Sequence, residues 1–258
     1  MKIVDTHTHI YSEEFDEDLA EIISRAKKSG VEKILLPNID VESLERLHRV
    51  SDTYSGYCLP MMGLHPTSVN TDWENQLEII RKQFDNRSYI AVGEIGIDLY
   101  WDQTFKDEQT RAFEEQLRWS IEYNLPVSIH TRNATMECIE SIKNIGVGHL
   151  RGVFHSFGGN SEELKQILSL NNFLLGINGV VTFKNSTLPS VLKETDLSHL
   201  VIETDAPYLT PAPFRGKRNE VSYTTYIVEK LAEIYNVEAN VVGEITTENA
   251  AKMFALQK

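Results

Sequence analysis

Eight short apolar runs recur along the chain, and they constrain its fold more than any other feature. Apolar runs without polar alternation are typical of strands that a parallel sheet buries on both faces. The runs occupy residues 3–4, 33–37, 58–63, 89–92, 126–129, 152–154, 173–177 and 200–202. We therefore expect eight strands in a parallel arrangement.

Amphipathic segments lie between these runs and follow the last of them. Each places apolar side chains on one face, as a helix does when it packs against a sheet. Gly30 follows the first segment, as expected just past a helix end. The predicted helices are residues 15–28, 108–123, 161–170, 223–236 and 247–256.

The alternation of strands and helices predicts an α/β fold with a parallel sheet. Eight such units within 258 residues favour one (β/α)8 TIM barrel that spans residues 1–258 as a single domain. The alternative is an open doubly wound sheet. The glycine-rich dinucleotide fingerprint that often follows the first strand of such a sheet is missing, which favours the barrel.

The composition describes an acidic globular chain. Lys and Arg number 25 against 38 Asp and Glu, which gives a formal charge of −13. Such a chain is poorly suited to non-specific binding of nucleic acid, so a polyanionic substrate must meet a local positive field, which bound cations could supply. The two cysteines, Cys58 and Cys138, are expected to be reduced and buried.

The sequence also predicts a location. The N-terminus lacks a signal-peptide pattern, and no apolar stretch approaches the ~20 residues that cross a bilayer. We expect a cytoplasmic protein with no membrane association, and no obligate protein partner is evident.

Polar side chains follow most of the predicted strands. The active site of a TIM barrel lies at the C-terminal ends of its strands, so these side chains should converge there. Five of the eight histidines lie at such ends. Imidazoles and carboxylates that converge are what a metal site requires. The strand-end groups are His7 and His9, Asn38, His65, Glu94, His130, His155, Asn178, and Glu203 with Asp205.

The first of these motifs places Asp5, His7 and His9 two residues apart. Side chains alternate along a strand, so all three should point into the barrel mouth. His7 and His9 could then hold one ion. Asp5 could accept a hydrogen bond from an imidazole or a nearby backbone group and fix the orientation of a ligand. A purely structural carboxylate is the alternative for Asp5.

The candidate ligands number six, more than one tetrahedral ion with an open position uses. Six ligands with a bridging carboxylate suit two ions, and Glu94 is the natural bridge because it lies near the middle of the ring. The predicted ligands are His7, His9, Glu94, His130, His155 and Asp205.

The motifs VDTHTHI, GLHP, VGEIGIDLY, IHTR, FHSFGG and ETDAPYLTP, together with RGKRNE, resemble the TatD-like metal-dependent deoxyribonucleases of the amidohydrolase superfamily. The match runs in order from residue 4 to about residue 220. The resemblance implies a barrel with two divalent cations and hydrolysis of phosphodiester bonds in DNA, often from the 3′ end. It implies one ion held by His7, His9, Glu94 and Asp205, and the other held by Glu94, His130 and His155.

The chain departs from the family pattern at four places. Thr67 replaces a second histidine after GLHP, and Asn133 replaces an aspartate after Arg132. Val221 stands where a proline usually follows the RGKRNE-like stretch, and residues 157–159 read Phe-Gly-Gly where Phe-Ser-Gly is common. Because no predicted ligand is lost, these departures concern substrate contacts and the groups that orient the ligands.

As a mechanism, we expect a metal-activated water to attack phosphorus, with Glu94 and Asp205 as the catalytic carboxylates. Asp205 would ligate an ion and accept the proton; ligation alone is the alternative. His65 would contact the phosphate, or else cap the third strand. Arg132 could hold a phosphate oxygen, or else form a surface ion pair.

Two further groups could bind DNA. Arg215, Lys217 and Arg218 form the densest basic cluster, and Arg218 is the predicted substrate contact; the alternative is a solvated loop. Aromatic rings near the barrel mouth could stack on unpaired bases, which would favour single-stranded DNA or strand ends as the substrate; the alternative is that each ring packs within the fold. These rings are Tyr100, Trp101 and Tyr208.

Other functions remain compatible with the same residues. A metal-dependent ester or amide hydrolase, such as an aminoacyl-tRNA deacylase, could use the same ions for attack on a carbonyl group. A minor alternative is a non-catalytic metal-binding protein. The donor set suits Zn, Mn or Mg alike.

Overall fold

Eight parallel strands form the centre of the computed structural model, which describes residues 1–256. Seven of them coincide with predicted apolar runs. The strands are β1 (Ile3–Asp5), β2 (Val31–Leu36), β3 (Cys58–Pro60), β4 (Val92–Asp98), β5 (Val127–Arg132), β6 (Gly152–Phe154), β7 (Phe173–Ile177) and β8 (Leu200–Ile202).

A helix follows every strand, as a (β/α)8 fold requires, and one more helix ends the described chain. Asn160 caps α6 through a reciprocal capping box with Glu163, which satisfies free N–H groups of the first turn. The helices are α1 (Leu19–Lys28), α2 (Leu44–Thr53), α3 (Trp73–Arg81), α4 (Lys106–Tyr123), α5 (Thr135–Ile145), α6 (Ser161–Leu168), α7 (Leu188–Leu192), α8 (Thr224–Tyr235) and α9 (Ala239–Met253).

Two predicted helices begin elsewhere. The first starts at Leu19 instead of residue 15, because a short 3-10 turn occupies Glu13–Phe15. The last starts at Ala239 instead of residue 247, and runs as one continuous helix to Met253. In the part of the chain that the structure describes, no helix is both long enough and apolar enough to span a membrane.

The strands form two parallel sheets, and individual hydrogen bonds join these sheets at both junctions. Strands β1 to β3 form one run in sequence order, and β4 to β8 form another. At one junction Met62 pairs with Val92, and the Gly93 N–H donates to Met62 O at 3.0 Å. At the other junction the Thr6 N–H donates to Ile202 O at 2.9 Å. The predicted TIM barrel is therefore confirmed.

Asp5 reinforces the junction between the first and last strands. Its buried carboxylate accepts hydrogen bonds from the Thr204 N–H at 3.0 Å, the Thr204 hydroxyl at 2.6 Å and the His7 N–H at 3.3 Å. Burial raises the pKa of Asp5 to about 8, against the lowering effect of these hydrogen bonds. The carboxyl group thus joins β1 to the segment that follows β8.

The barrel interior is apolar at the N-terminal ends of the strands. Side chains from several strands form a compact inner cluster, which also includes Ala250 of α9 and Phe254 just after that helix. This apolar floor leaves only the opposite end of the barrel for polar groups. The inner cluster consists of Val4, Leu35, Met61, Ala91, Val153, Val201, Ala250 and Phe254.

The fourth strand differs from its predicted position. Residues 89–92 were expected, but β4 runs from Val92 to Asp98 and every residue in it is buried. This strand contains charged residues and glycines, so it does not form a continuous apolar run in the sequence. Its charged residues Glu94 and Asp98 are nevertheless buried, because polar partners surround them in the barrel. A register irregularity between Val92 and Ile95 accompanies the inward turn of Glu94. Glu94 therefore lies within a strand and not after one, as does His130 in β5.

The Asp5–Thr204 contact generates a stability prediction. Thr204→Val removes the hydroxyl donor from a buried carboxyl group and should lower the free energy of unfolding by about 1–3 kcal/mol. Urea titration measures the change. Thr53→Val, which removes the same group from an exposed helix end, should cost less than about 0.5 kcal/mol. An equal loss of unfolding free energy in both variants would show that the Thr204 hydroxyl stabilises the fold no more than an exposed hydroxyl does.

Candidate metal centre

One oxygen of the buried Glu94 carboxylate faces the two histidines of the first motif. Glu94 Oε2 lies 3.1 Å from His7 Nε2 and 3.6 Å from His9 Nε2. Asp205 Oδ1 lies on the same side, 3.4 Å from His9 Nε2 and 3.9 Å from His7 Nε2. The N-terminal motif thus lies between two carboxylates, Glu94 and Asp205.

The other oxygen of Glu94 faces three further imidazoles. Glu94 Oε1 lies 2.9 Å from His155 Nε2, 3.0 Å from His130 Nδ1 and 3.3 Å from His65 Nε2. These rings come from three different strand ends, and His155 also stacks on His7 with ring centroids 3.7 Å apart. The structure therefore brings together all six predicted ligands, with His65 beside them.

The donor set fits divalent metal ions. Ligand atoms placed tetrahedrally at about 2.0–2.1 Å from an ion lie about 3.3 Å apart, close to the contacts around each oxygen of Glu94. Several triplets of potential donor atoms lie within 4.8 Å of one another, among them His7, His9 and Glu94, and also His65, Glu94 and His130. Neutral imidazole and carboxylate are common ligands of transition metals.

Electrostatics keep the two key carboxylates ionised. Burial alone would raise the pKa of Glu94, but His155, His65 and His7 hold that pKa well below its ordinary value. Burial likewise opposes ionisation of Asp205, while the neighbouring His9, His155 and His7 lower its pKa. Both side chains are thus poised to accept cations at neutral pH.

Tyr11 determines which nitrogen of His9 is free. The Tyr11 hydroxyl donates its only proton to Pro37 O at 2.6 Å, so its oxygen accepts from His9 Nδ1 at 3.0 Å. The proton of a neutral His9 ring then lies on Nδ1. The lone pair of Nε2 is left for an ion, which is how a ligand histidine is commonly oriented.

Carboxylates orient the two histidines of the other side. Asp98 Oδ2 lies 2.9 Å from His130 Nε2, and Glu203 Oε1 lies 3.4 Å from His155 Nδ1. Burial lowers the pKa of both rings, yet these carboxylates together with Glu94 raise the pKa of His130 and raise that of His155 strongly. Each ring is thereby held between two anionic groups.

His65 has the opposite tautomer from His9. Its Nδ1 accepts the Thr67 N–H at 3.1 Å and contacts the Thr67 hydroxyl at 2.7 Å. Burial lowers the pKa of His65, so the ring is neutral and its proton lies on Nε2. His65 therefore presents an N–H donor toward Glu94, and not a lone pair for a metal ion.

Comparison with known proteins identifies the family. A family model described as TatD related DNase matches residues 4–255. The chain belongs to the TatD family. The resemblance seen in the sequence is thus confirmed, and the chain is a metal-dependent hydrolase.

Relatives of the chain match over their full length. YabD of Bacillus subtilis, described as an uncharacterized metal-dependent hydrolase, is 38% identical over 98% of this chain and 99% of its own. The 3′-5′ ssDNA/RNA exonuclease TatD of Pectobacterium parmentieri is 32% identical over 98% of this chain and 99% of its own. The crystal structure of YJJV, a TatD homologue from Escherichia coli, superimposes with a TM-score of 0.92 at 27% identity. The match covers 99% of this chain and 98% of YJJV.

The predicted substrate contacts of this TatD-family chain take different positions. Arg132 places its guanidinium 3.7 Å from the centre of the Tyr100 ring. Arg218 is held by Asp18 at 2.5 Å and lies over the Phe15 ring at 4.5 Å. The structure does not bring Arg218 into contact with the metal centre.

Sequence reasoning missed the residues that orient the histidines of the TatD centre. Asp98 shares a strand face with Glu94, and Tyr11 shares the two-residue spacing of His7 and His9, so period-two alternation could have found both. Glu203 stood at a strand end without an assigned role. Ser128, 3.2 Å from His7 Nδ1, carries no signal in a single sequence.

The hydroxyl of Tyr11 is a test of ligand orientation in this TatD-family protein. Tyr11→Phe frees His9 to adopt the other tautomer, and metal affinity should fall about 10- to 100-fold. Metal titration calorimetry measures the change. Tyr57→Phe is the control, because Tyr57 donates a comparable hydrogen bond to Val31 O at 3.0 Å. Wild-type affinity in Tyr11→Phe would rule out the orienting role.

Proposed function

We propose that this chain is a deoxyribonuclease that hydrolyses phosphodiester bonds from the 3′ end of single-stranded DNA with two divalent cations. The proposal rests on the two oxygens of Glu94, which face different pairs of histidines. Oε2 faces His7 and His9, while Oε1 faces His130 and His155. The relative from Pectobacterium parmentieri, named a 3′-5′ ssDNA/RNA exonuclease, supports the choice of substrate.

Two groups of residues would hold the ions. One consists of His7, His9, Glu94 and Asp205, and the other of Glu94, His130 and His155. When bound, divalent cations lower the pKa of water and neutralise charge on phosphate oxygens. Zn, Mn and Mg each suit this donor set. Glu94, shared by both groups, fixes the position of one relative to the other.

Asp205 accepts the proton of the attacking water. Its carboxylate is buried but stays ionised, because the neighbouring His9, His155 and His7 lower its pKa. Its backbone adopts a left-handed conformation with φ of 56°, held by the Asp205 N–H, which donates to His7 O at 2.9 Å. An aspartate tolerates this conformation better than most residues, and the bond to His7 fixes the carboxylate beside the first group.

Two side chains position the phosphate. His65 donates its Nε2 proton to a phosphate oxygen, a role that its tautomer allows. Arg132 contributes its guanidinium, whose face lies over the Tyr100 ring and whose edge N–H groups remain available to an anion. A phosphate role for Arg218 requires its ion pair with Asp18 to open. A cytoplasmic location is part of the proposal, and the buried free thiols of Cys58 and Cys138 are consistent with it.

Digestion of end-labelled single-stranded DNA with each metal tests the proposal. Glu94→Gln and Asp205→Asn should each lower kcat by about 100-fold or more. Chelation should abolish activity. Glu21→Gln removes a charge from the exposed face of α1 and should leave the rate unchanged. Near-wild-type turnover of Asp205→Asn with excess metal would show that Asp205 is not the proton acceptor.

Metal content tests the number of ions. Atomic emission on the saturated protein should give two ions per chain, and Glu94→Gln should lose affinity at both positions because Glu94 belongs to both groups. Full activity with a single ion would overturn the two-ion proposal. Hydrolysis of acyl substrates in place of oligonucleotides would instead establish the ester or amide hydrolase.

A further inference from the structure

Three aromatic side chains at the mouth of the barrel are the most exposed large apolar groups of the described chain. Trp101 is 70% exposed, Tyr208 57% and Tyr100 52%. Tyr100 and Trp101 follow β4, and Tyr208 follows β8, so all three lie at strand ends on the side of the metal centre. Exposed aromatic side chains beside the candidate metal centre indicate a ligand with an apolar face.

A single carboxylate links the first two rings to the metal centre. Asp98 Oδ1 accepts the Tyr100 N–H at 2.9 Å and the Trp101 N–H at 3.4 Å. Asp98 Oδ2 lies 2.9 Å from His130 Nε2, and His130 contacts Glu94. The turn that carries both rings is therefore fixed relative to the ligands.

Arg132 adds a positive charge to this aromatic turn. It pairs in register with Asp98 across β4 and β5, and its guanidinium lies 3.7 Å from the Tyr100 ring centre and 5.0 Å from that of Trp101. Such stacking covers the face of the guanidinium and leaves its edge N–H groups for an anion. An anionic group with an apolar ring attached matches this surface.

Tyr208 lies on the other side of Glu94. Its ring centre is 6.4 Å from that of His9, and its N–H donates to Asp205 O at 2.9 Å. His9 faces Oε2 of Glu94, whereas His130 faces Oε1. Aromatic surfaces thus flank the centre on both sides.

We propose that Trp101 with Tyr100, and Tyr208 on the opposite side, stack on the unpaired bases that flank the scissile phosphodiester, while Arg132 holds the adjacent phosphate. The inference rests on the proposed nuclease function and explains its preference for single strands. A duplex keeps its bases stacked on one another, whereas an unpaired end offers the face of any base to a ring. The protein would then select unpaired DNA ends whatever their base sequence.

The test compares oligo(dT) with the same oligonucleotide carrying abasic residues at its last two positions. Trp101→Ala and Tyr208→Ala should each raise KM for oligo(dT) about five- to thirtyfold and alter that for the abasic substrate by less than about twofold. Trp101→Phe keeps a ring and should retain most of the affinity. Arg132→Gln should raise KM for both substrates, because both carry the phosphates. Ile121→Ala removes an exposed apolar side chain near the end of α4 and is the control.

The outcomes separate this inference from the nuclease function. Equal KM values of the wild type for base-bearing and abasic substrates, or equal losses on both in Trp101→Ala, would overturn the stacking surfaces and leave the nuclease function standing. Absence of cleavage by the wild type would overturn the nuclease function. Fluorescence then decides about stacking: oligo(dT) should quench the wild type and not Trp101→Phe, and an unquenched wild type overturns the inference.

Discussion

The ionised carboxylate of Glu94 is the constraint on which the rest of the structure depends. A buried charge is costly unless it is paired and hydrogen-bonded. Glu94 is 2% exposed, and five imidazoles lie within 3.6 Å of its two oxygens. Those imidazoles come from the ends of β1, β3, β5 and β6, so they meet only when the barrel closes. The fold and the metal centre are consequently one cooperative arrangement.

This arrangement also reconciles an acidic chain with a polyanionic substrate. The net charge of −13 disfavours general attraction of DNA. Most arginines of the described chain are paired with carboxylates, as Arg25 is with Glu220 and Arg87 with Asp52. Under the proposed function, positive charge at the mouth would come from cations held by the centre and from Arg132. A field of such short range favours a strand end over a long duplex, which would meet the acidic surface.

The sequence predicts the architecture well because apolar runs report burial, and burial on both faces is what a barrel imposes on its strands. The same logic misses β4, whose Glu94 and Asp98 are buried through polar partners that no local pattern reveals. The candidate ligands were predictable because each follows an apolar run of the sequence. Some of the orienting residues were not, since Ser128, Glu203 and Thr67 acquire their roles only through neighbours distant in sequence or through a hydrogen-bond direction. The ion pair of Arg218 with Asp18 joins residues 200 positions apart.

Five histidines look equivalent in the sequence, but they differ in the hydrogen-bond partner of the ring nitrogen that faces away from Glu94. That partner determines which ring nitrogen carries the proton. At His9 the hydroxyl of Tyr11 accepts a hydrogen bond from Nδ1 and leaves the lone pair of Nε2 free. At His65 the backbone N–H of Thr67 donates, and Nε2 becomes a donor. The departure from the family pattern at Thr67 leaves this backbone contact in place and adds a hydroxyl beside the same nitrogen. A backbone N–H at residue 67 is therefore enough to keep the His65 proton on Nε2, whichever side chain that residue carries.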